Sequence, residues 1–395
     1  MAVTDATVAI AGGSLGGLTA GLLLRDLGCD VTIYERSRHS LEQRGAGIGF
    51  LPDASRYLVE RAGISLDDIS TTTEVIRYLN RDGSIEHERK HRYHFSSWFT
   101  VYHHMLQAFG TERYLTGREA TGCEQNDDSI TVSFADGESV RADLLVCADG
   151  VGSRFRDQFI PGLHNNYSGY VAWRGMVRED SLPPSVVEQL DDAITYYFHA
   201  NSQILVYPIP GADGSIERGH RLINFVWYRN YLAGDDFNDL MTDTSGVVQE
   251  TTLPPGKVTA RHVVEMKAHA AARLPTLVAE VVMATDEPFV QAVYDLEIDR
   301  MVFGRACLVG DAGFVMRPHA AAGTAKASAN AWALADAMAA ATTIPEALAA
   351  WEPGQMAIGR ELVERTRRLG ERSQIHSVWT EPDDDSIFRL RAEGP

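Results

Sequence analysis

Apolar and polar positions change period twice within the first 35 residues. Thr7 to Ala11 is a short apolar run of strand type, Leu18 to Leu27 carries apolar residues at helical spacing, and Asp30 to Tyr34 alternates again. Between the first two stands Gly12-Gly13-Ser14-Leu15-Gly16-Gly17, so the pattern predicts the opening of a βαβ unit. From Glu74 to Phe95 the chain has β character around an Asp82-Gly83 turn, and Trp98 to Phe109 returns to helical spacing. Ile130, Val132 and Phe134 alternate with Thr131 and Ser133 before the Asp136-Gly137 turn and the apolar run LLVCA, which predicts a hairpin over Ser129 to Ala148.

Between about Tyr167 and Gln291 the runs GYVAWRGMV, AITYYFHA, QILVYPIP and LINFVWY are rich in aromatic and β-branched residues, as strands of one antiparallel sheet would be. After Met301 the run ACLVG predicts a last parallel strand, and GTAKASANAWALADAMAAA a helix of high intrinsic propensity. A further helix is expected from Thr343, with Pro345 early and Glu346 completing a capping box. Pro353 is expected to kink or restart it ahead of a long helix from Met356 to Ile375. No repeat or linker divides the chain, so the boundaries follow from changes of pattern. A dinucleotide domain with C-terminal helices takes residues 1–73, 97–165 and 291–395, and a substrate-facing sheet domain takes residues 74–96 and 166–290.

Composition narrows the function. A chain of 395 residues with 45% hydrophobic content buries a large core, and a net charge of −18 spread along the sequence disfavours nucleic acid and anionic membrane as partners. The start MAVTDATVAIAGG has no basic region, and no stretch approaches the roughly 20 apolar residues of a membrane span, so the cytoplasm is expected. The four cysteines are far apart without a CxxC pairing and read as small core residues. His103-His104 and the pair His91 and His94 lack partner ligands at metal spacing, and no GxSxG elbow is present, so neither a metal site nor hydrolase chemistry is expected.

The glycine-rich turn opens a helix, where backbone amides and the helix N-terminus hold a pyrophosphate without side-chain charge. Ser14 replaces the usual middle glycine, and Glu35, 18 residues after Gly17, stands where a carboxylate accepts both ribose hydroxyls of an adenosine. This fingerprint alone suits NAD and FAD equally. Two later blocks decide between them: DLLVCADGVGSRFR from Asp143 to Arg156, and LVGDA from Leu308 to Ala312 ahead of Pro318 and Gly323. A carboxylate at a strand end, as Asp311 would be, holds a polyol, and the helix after it points its positive end at a flavin ring.

In this order and spacing the three blocks resemble those of the flavoprotein aromatic hydroxylases with the p-hydroxybenzoate hydroxylase fold, over nearly the whole chain. The runs ERSRHSLEQRGAGIGFLPD, GYVAWRG, VYPIPG, INFVWY, LMTD and GDAGFVMRPHAAAGTAKA are most similar to the 2,6-dihydroxypyridine 3-hydroxylase subgroup, RPHAAAG being the most specific. The resemblance implies an α/β fold: a Rossmann-like FAD-binding domain interrupted by an antiparallel β-sheet substrate domain, with C-terminal helices. It implies that Gly12, Ser14, Leu15, Gly17, Glu35 and Arg36 bind the ADP part of FAD, that Asp149 and Arg154 support FAD and the incoming nicotinamide, and that Asp311 holds the ribityl chain. Arg44, Gly47, His103, Ala321, Ala322, Gly323 and Thr324 would complete the flavin contacts. Three positions depart from the family: Ala321-Ala322-Gly323 stand for GQG, Phe314 for a histidine, and His103 for an arginine.

The chemistry so implied is hydroxylation of an electron-rich ring, a hydroxypyridine being the expectation, as a small catabolite or a pyridine-containing natural-product intermediate. NADH or NADPH would reduce FAD, O2 would add at the flavin C4a, and its distal oxygen would pass to a ring carbon activated by a hydroxyl group. That hydroxyl needs a base or acceptor. His319 and Tyr207 rank first, followed by His199 and Tyr196, with Pro318 beside His319 in the flavin loop. Trp173, Trp227 and Tyr228 read as packing walls and Arg174 as a structural guanidinium. An oxidase or reductase on the same FAD scaffold and a flavin-free NAD(P)-dependent dehydrogenase are the competing readings. Residues alone leave a monomer and a homo-oligomer both open.

Overall fold

The structure, a computed structural model, describes residues 3–38, 41, 46–377 and 387–391. Its first sheet has six strands in the order Val302–Phe303, Ala306–Leu308, Leu144–Cys147, Thr7–Ala11, Asp30–Glu35, Tyr114–Thr116. All pairs are parallel except the hairpin of the first two. Helices Leu15–Leu27 and Gly323–Ala340 pack together beside it. Central strands covered on both faces need apolar residues throughout, which is what Val8 to Ala11 and Leu144 to Cys147 supply.

The same requirement explains one difference from the sequence pattern. The hairpin at the Asp136-Gly137 turn pairs Ile130–Phe134 with Ser139–Ala142, and strand Ala120–Gln125 joins them in a three-stranded sheet. The apolar run Leu144–Cys147 is not its return arm; buried on both faces, it pairs with Thr7–Ala11 instead.

The second sheet has nine strands, in the order Thr252–Leu253, Phe289–Asp295, Asn166–Arg178, Leu222–Asn230, Ser202–Ile209, Ala193–His199, Thr71–Leu79, Ile85–Ser97, Gly47–Gly49. It is not wholly antiparallel: Ala193–His199 runs parallel to Thr71–Leu79, because the chain crosses the nucleotide domain between them. Its middle strands sort their side chains by parity between two cores. Tyr196, Leu205, Tyr207, Val226 and Tyr228 join the core that contains the six-stranded sheet, whereas Tyr197, Ile204, Val206, Phe225 and Trp227 join a second core built on helices Ala260–Arg273 and Thr276–Ala284.

Helix Ile344–Gln374 closes the fold. Thr343 caps it by accepting from Glu346 N at 3.3 Å, while the Glu346 carboxylate turns back onto Thr342 N at 3.0 Å. Of the two expected outcomes, a kink or a restart, the restart does not occur: the helix continues through Pro353. The carbonyl that proline leaves without a donor belongs to Ala349, which lies on the exposed side with Pro353 and Gly354, open to solvent. All four cysteines are buried and unbridged.

Candidate active site

Two cavities meet between the sheets. A cleft of about 340 Å³ runs over the glycine-rich turn, and an inner chamber of about 240 Å³ lies against the parity-sorted wall of Leu205, Tyr207, Val226 and Tyr228. Ile48, Arg174 and Gln291 line both and so form the passage between them.

The glycine turn is closed by contacts no side chain would permit. Gly12 has φ +103°, and a Cβ there would lie 2.2 Å from the Ala148 carbonyl oxygen; a Cβ on Gly17 would lie 1.9 Å from the Gly12 oxygen. Ser14 begins helix Leu15–Leu27 without a side-chain cap, which leaves that N-terminus open to the cleft that Gly12 and Ser14 line. Glu35, 5% exposed, accepts from Gly13 N at 2.9 Å and Ser37 N at 2.8 Å, and faces the cleft with Arg36. Asp149 and Arg154 line the opposite rim. Burial pushes the Asp149 carboxyl above its ordinary range while Ser153 Oγ (2.6 Å) and Arg154 N (2.9 Å) donate to it.

At the chamber end, Asp311 sits after strand Ala306–Leu308, beside the start of helix Gly323–Ala340. That helix has no side-chain cap, and Ala321, Ala322, Gly323 and Thr324 present its N-terminus to the chamber. Ala321 holds φ +51°, and Gly49 makes room for it: a Cβ on Gly49 would lie 2.7 Å from the Ala321 Cβ. Beneath this loop Lys326, 1% exposed, donates to Asp311 Oδ1 at 3.1 Å and to the Phe314 carbonyl.

The remaining candidates separate. Gly47 lines the chamber; its N–H donates to Asn224 Oδ1 at 3.0 Å, and its carbonyl accepts from Arg174 Nη2 at 2.6 Å. Tyr207 lines the chamber too, stacked on Phe95 at 4.2 Å, its hydroxyl pushed up to about 12 by burial despite Arg174. Pro318 faces the chamber, but His319 turns the other way. Its Nε2 lies 2.8 Å from the Tyr170 hydroxyl, its Nδ1 is buried without a partner, and burial, then Arg317, holds its pKa down to about 3. Tyr196 is stacked between Tyr78 and Phe198 and does not line the chamber. His199 lines a different cleft on the far side of the sheet. His103 bonds to Gln107 Nε2 at 2.9 Å, outside the residues lining either cavity. Arg44 lies outside the described residues.

Sequence reasoning passed over Arg174, Gln291, Asn224 and Lys326. Arg174 Nη1 donates to Gln291 Oε1 at 3.0 Å, and Arg174 Nε and Asn224 Nδ2 are buried donors without a partner. The signal for Arg174 was its parity: in YVAWRG it shares a face with Ala172, opposite Trp173. Phe388, also in the chamber wall, gave no such signal.

The residues present fit a dinucleotide carrying a flat ring. A tight glycine turn with an open helix N-terminus, a ribose-facing carboxylate, a joined chamber with a second open N-terminus, and unpartnered donors beside it form one continuous cradle. Among the described residues, no group of three or more His, Cys, Asp or Glu could hold a metal ion, and no helix is long and apolar enough to cross a membrane.

Comparison with known proteins agrees with this geometry. Residues 167–295 match the family model described as FAD binding domain-like. The FAD-dependent urate hydroxylase of Klebsiella pneumoniae is 24% identical over 94% of this chain and 92% of its own. The structure of 2,6-dihydroxypyridine-3-hydroxylase from Arthrobacter nicotinovorans superposes with a TM-score of 0.94 at 32% identity, covering 99% of this chain and 98% of that one. With 33% identity to the 2,6-dihydroxypyridine 3-monooxygenase of Paenarthrobacter nicotinovorans across 98% of this chain and 96% of the relative, the protein belongs to the family of FAD-dependent aromatic-ring monooxygenases.

Proposed function

We propose that this enzyme hydroxylates a hydroxypyridine, taking electrons from NADH or NADPH through FAD and the oxygen atom from O2. The observation that carries the reading is the chamber: a small, mainly aromatic and aliphatic space that opens to the nucleotide cleft beside the Arg174 guanidinium. The relatives named for 2,6-dihydroxypyridine support the choice of ring. When bound, FAD supplies hydride acceptance and oxygen activation.

The chain's own residues bind, orient and exclude water. The backbone amides of Ser14, Leu15 and Gly17 would hold the pyrophosphate over the turn that Gly12 closes, its own N–H donating to the Tyr34 carbonyl; Glu35 and Arg36 would hold the adenosine end, with Asp149 and Arg154 at the outer rim. Asp311, fixed by Lys326, would accept from the ribityl chain, and the amides of Ala322 to Thr324 would face the ring system, with Ala321 and Gly47 lining the same space. Arg174 holds the ionised ring oxygen of the substrate, since among the described residues its guanidinium is the cation that lines the chamber and its Nε lacks a partner. Tyr207, protonated at neutral pH, donates to the substrate rather than taking its proton. His319 is neutral and acts through Tyr170, holding the loop that carries Pro318. Leu205, Val226, Met316 and Phe388 keep water from the reacting carbon.

The same reading keeps the division into a nucleotide domain and a sheet domain, a small aromatic partner and the cytoplasm as its setting; four unbridged cysteines accord with a reducing compartment. The test is the visible spectrum of the purified protein, followed by NADH and NADPH consumption on a panel of hydroxypyridines and hydroxybenzoates with peroxide measured alongside. Flavin bands, with coenzyme use and hydroxylated product rising together on a hydroxypyridine, are the expected result. A colourless protein that cannot be reconstituted with FAD overturns the reading.

A further inference from the structure

A third cleft, of about 590 Å³, opens on the far face of the nine-stranded sheet, away from the chamber. Tyr197, His199, Trp227 and Arg229 come from the sheet, Arg81 from the turn after strand Thr71–Leu79, and His269 and Arg273 from helix Ala260–Arg273. In a chain of net charge −18, this lining holds, among the described residues, three arginines and no carboxylate. The helix C-terminus accounts for part of that gathering, since Arg81 donates to Ala272 O at 3.0 Å and Arg273 ends the same helix.

It does not account for the polar atoms left over. Arg229 Nη1 and His199 Nε2 are buried and have no hydrogen-bond partner, although buried polar groups in native proteins are nearly always paired. The Arg229 guanidinium lies over the Trp227 ring at 5.0 Å and the Tyr231 ring at 5.6 Å. After burial, Arg273, Arg229 and Arg81 are what push the His199 pKa below its ordinary value, a repulsion that a bound negative charge would relieve.

We propose that this cleft binds a small organic anion carried on a flat ring, its carboxylate or phosphate taken by Arg229 and Arg273 and its ring by the aromatic wall of Tyr197 and Trp227. Guanidinium groups match carboxylate and phosphate by paired hydrogen bonds, and the volume falls in the range of small-molecule sites. The site is independent of the flavin reading, because it shares no lining residue with the cleft or the chamber.

The test is calorimetric titration of the full chain, loaded with any nucleotide it retains, at low ionic strength. The probes are AMP, benzoate and inorganic phosphate, applied to the native protein and to Arg229→Gln and Arg273→Gln. At least one ring-bearing anion is expected to bind saturably and more tightly than inorganic phosphate, with Kd raised about tenfold in each variant, the loss of one charge-assisted bond. AMP or benzoate as the tighter ligand tells a nucleotide source from an aromatic acid. Arg273 is exposed, so its variant folds even where Arg229→Gln does not, and binding in the chamber is untouched by it. Absence of saturable binding, equal affinity for bare phosphate, or binding indifferent to Arg273→Gln overturns the proposal. The acidic run Glu381 to Asp385 follows Ser377 in the sequence. Replacing Asp383, Asp384 and Asp385 by Asn should leave the affinity unchanged, and binding seen only in that variant would make the chain its own occupant and refute an external ligand.

Discussion

The Tyr170 hydroxyl stands 2.8 Å from His319 Nε2, and a Cβ on Gly370 would come within 2.4 Å of that oxygen and 2.9 Å of that nitrogen. Three elements distant in sequence, the sheet, the Pro318 turn and the last helix, are thus pinned at one point behind the chamber.

His319 therefore shapes stability rather than the pH profile of turnover. Its folded pKa of about 3 lies below the unfolded value near 6.5, so the unfolded chain binds more protons between the two. Stability is full above pH 6.5 and falls as pH drops, by up to about 1.4 kcal/mol per pH unit from this group. In His319→Gln, denaturant unfolding between pH 6.5 and 5 should show a flatter decline. Equal slopes in the two proteins would mean that His319 protonates freely in the fold.

The buried Lys326 ammonium is tied to Asp311. Lys326→Met should lower stability by about 2 kcal/mol, the scale of a hydrogen bond to a charged group, and should weaken FAD retention. Asp311→Ala should also release FAD, and flavin content equal to the native protein's in that variant would refute its assigned role. The double variant should lose less stability than the sum of the two, read by denaturant unfolding.

Arg174→Met should lower kcat/KM for an ionised hydroxypyridine at least tenfold, with more of the NADH oxidation ending as peroxide. The guanidinium joins the Gly47 carbonyl and Gln291, so Arg174→Lys, which keeps the charge but not the fork, should recover only part of the activity. Unchanged kinetics and coupling in Arg174→Met would remove it from substrate binding.

Ala321 holds a left-handed conformation that costs an L-residue about 1 kcal/mol, and replacement by glycine should return most of it. A higher thermal midpoint for Ala321→Gly is expected. A lower one would mean that the methyl group, packed against Gly49, contributes more than the strain removes.

The nucleotide end of the site was legible because its chemistry is local. A glycine turn, an open helix start and a carboxylate at the next strand end follow one another within the first 35 residues. The chamber was harder, because a side chain's face depends on register between strands far apart in the chain. His319 looked like a base from its place in the flavin loop, yet that turn sends Pro318 inward and His319 toward Tyr170. Arg174 looked structural until its pairing with Gln291 placed it at the passage. The parallel join of Ala193–His199 to Thr71–Leu79 left no trace in either strand, since period-2 alternation is the same in both orientations.

The sorting of side chains by parity in the central strands separates two kinds of change. Positions 205, 207, 226 and 228 shape the ring's compartment, while their neighbours 204, 206, 225 and 227 knit the far helices to the sheet. A lineage can therefore recut the compartment for a differently substituted ring through alternate residues of two adjacent strands, leaving the packing of the far helices on the sheet untouched. In such a wall, substrate choice and foldedness evolve on separate registers of the same ribbon.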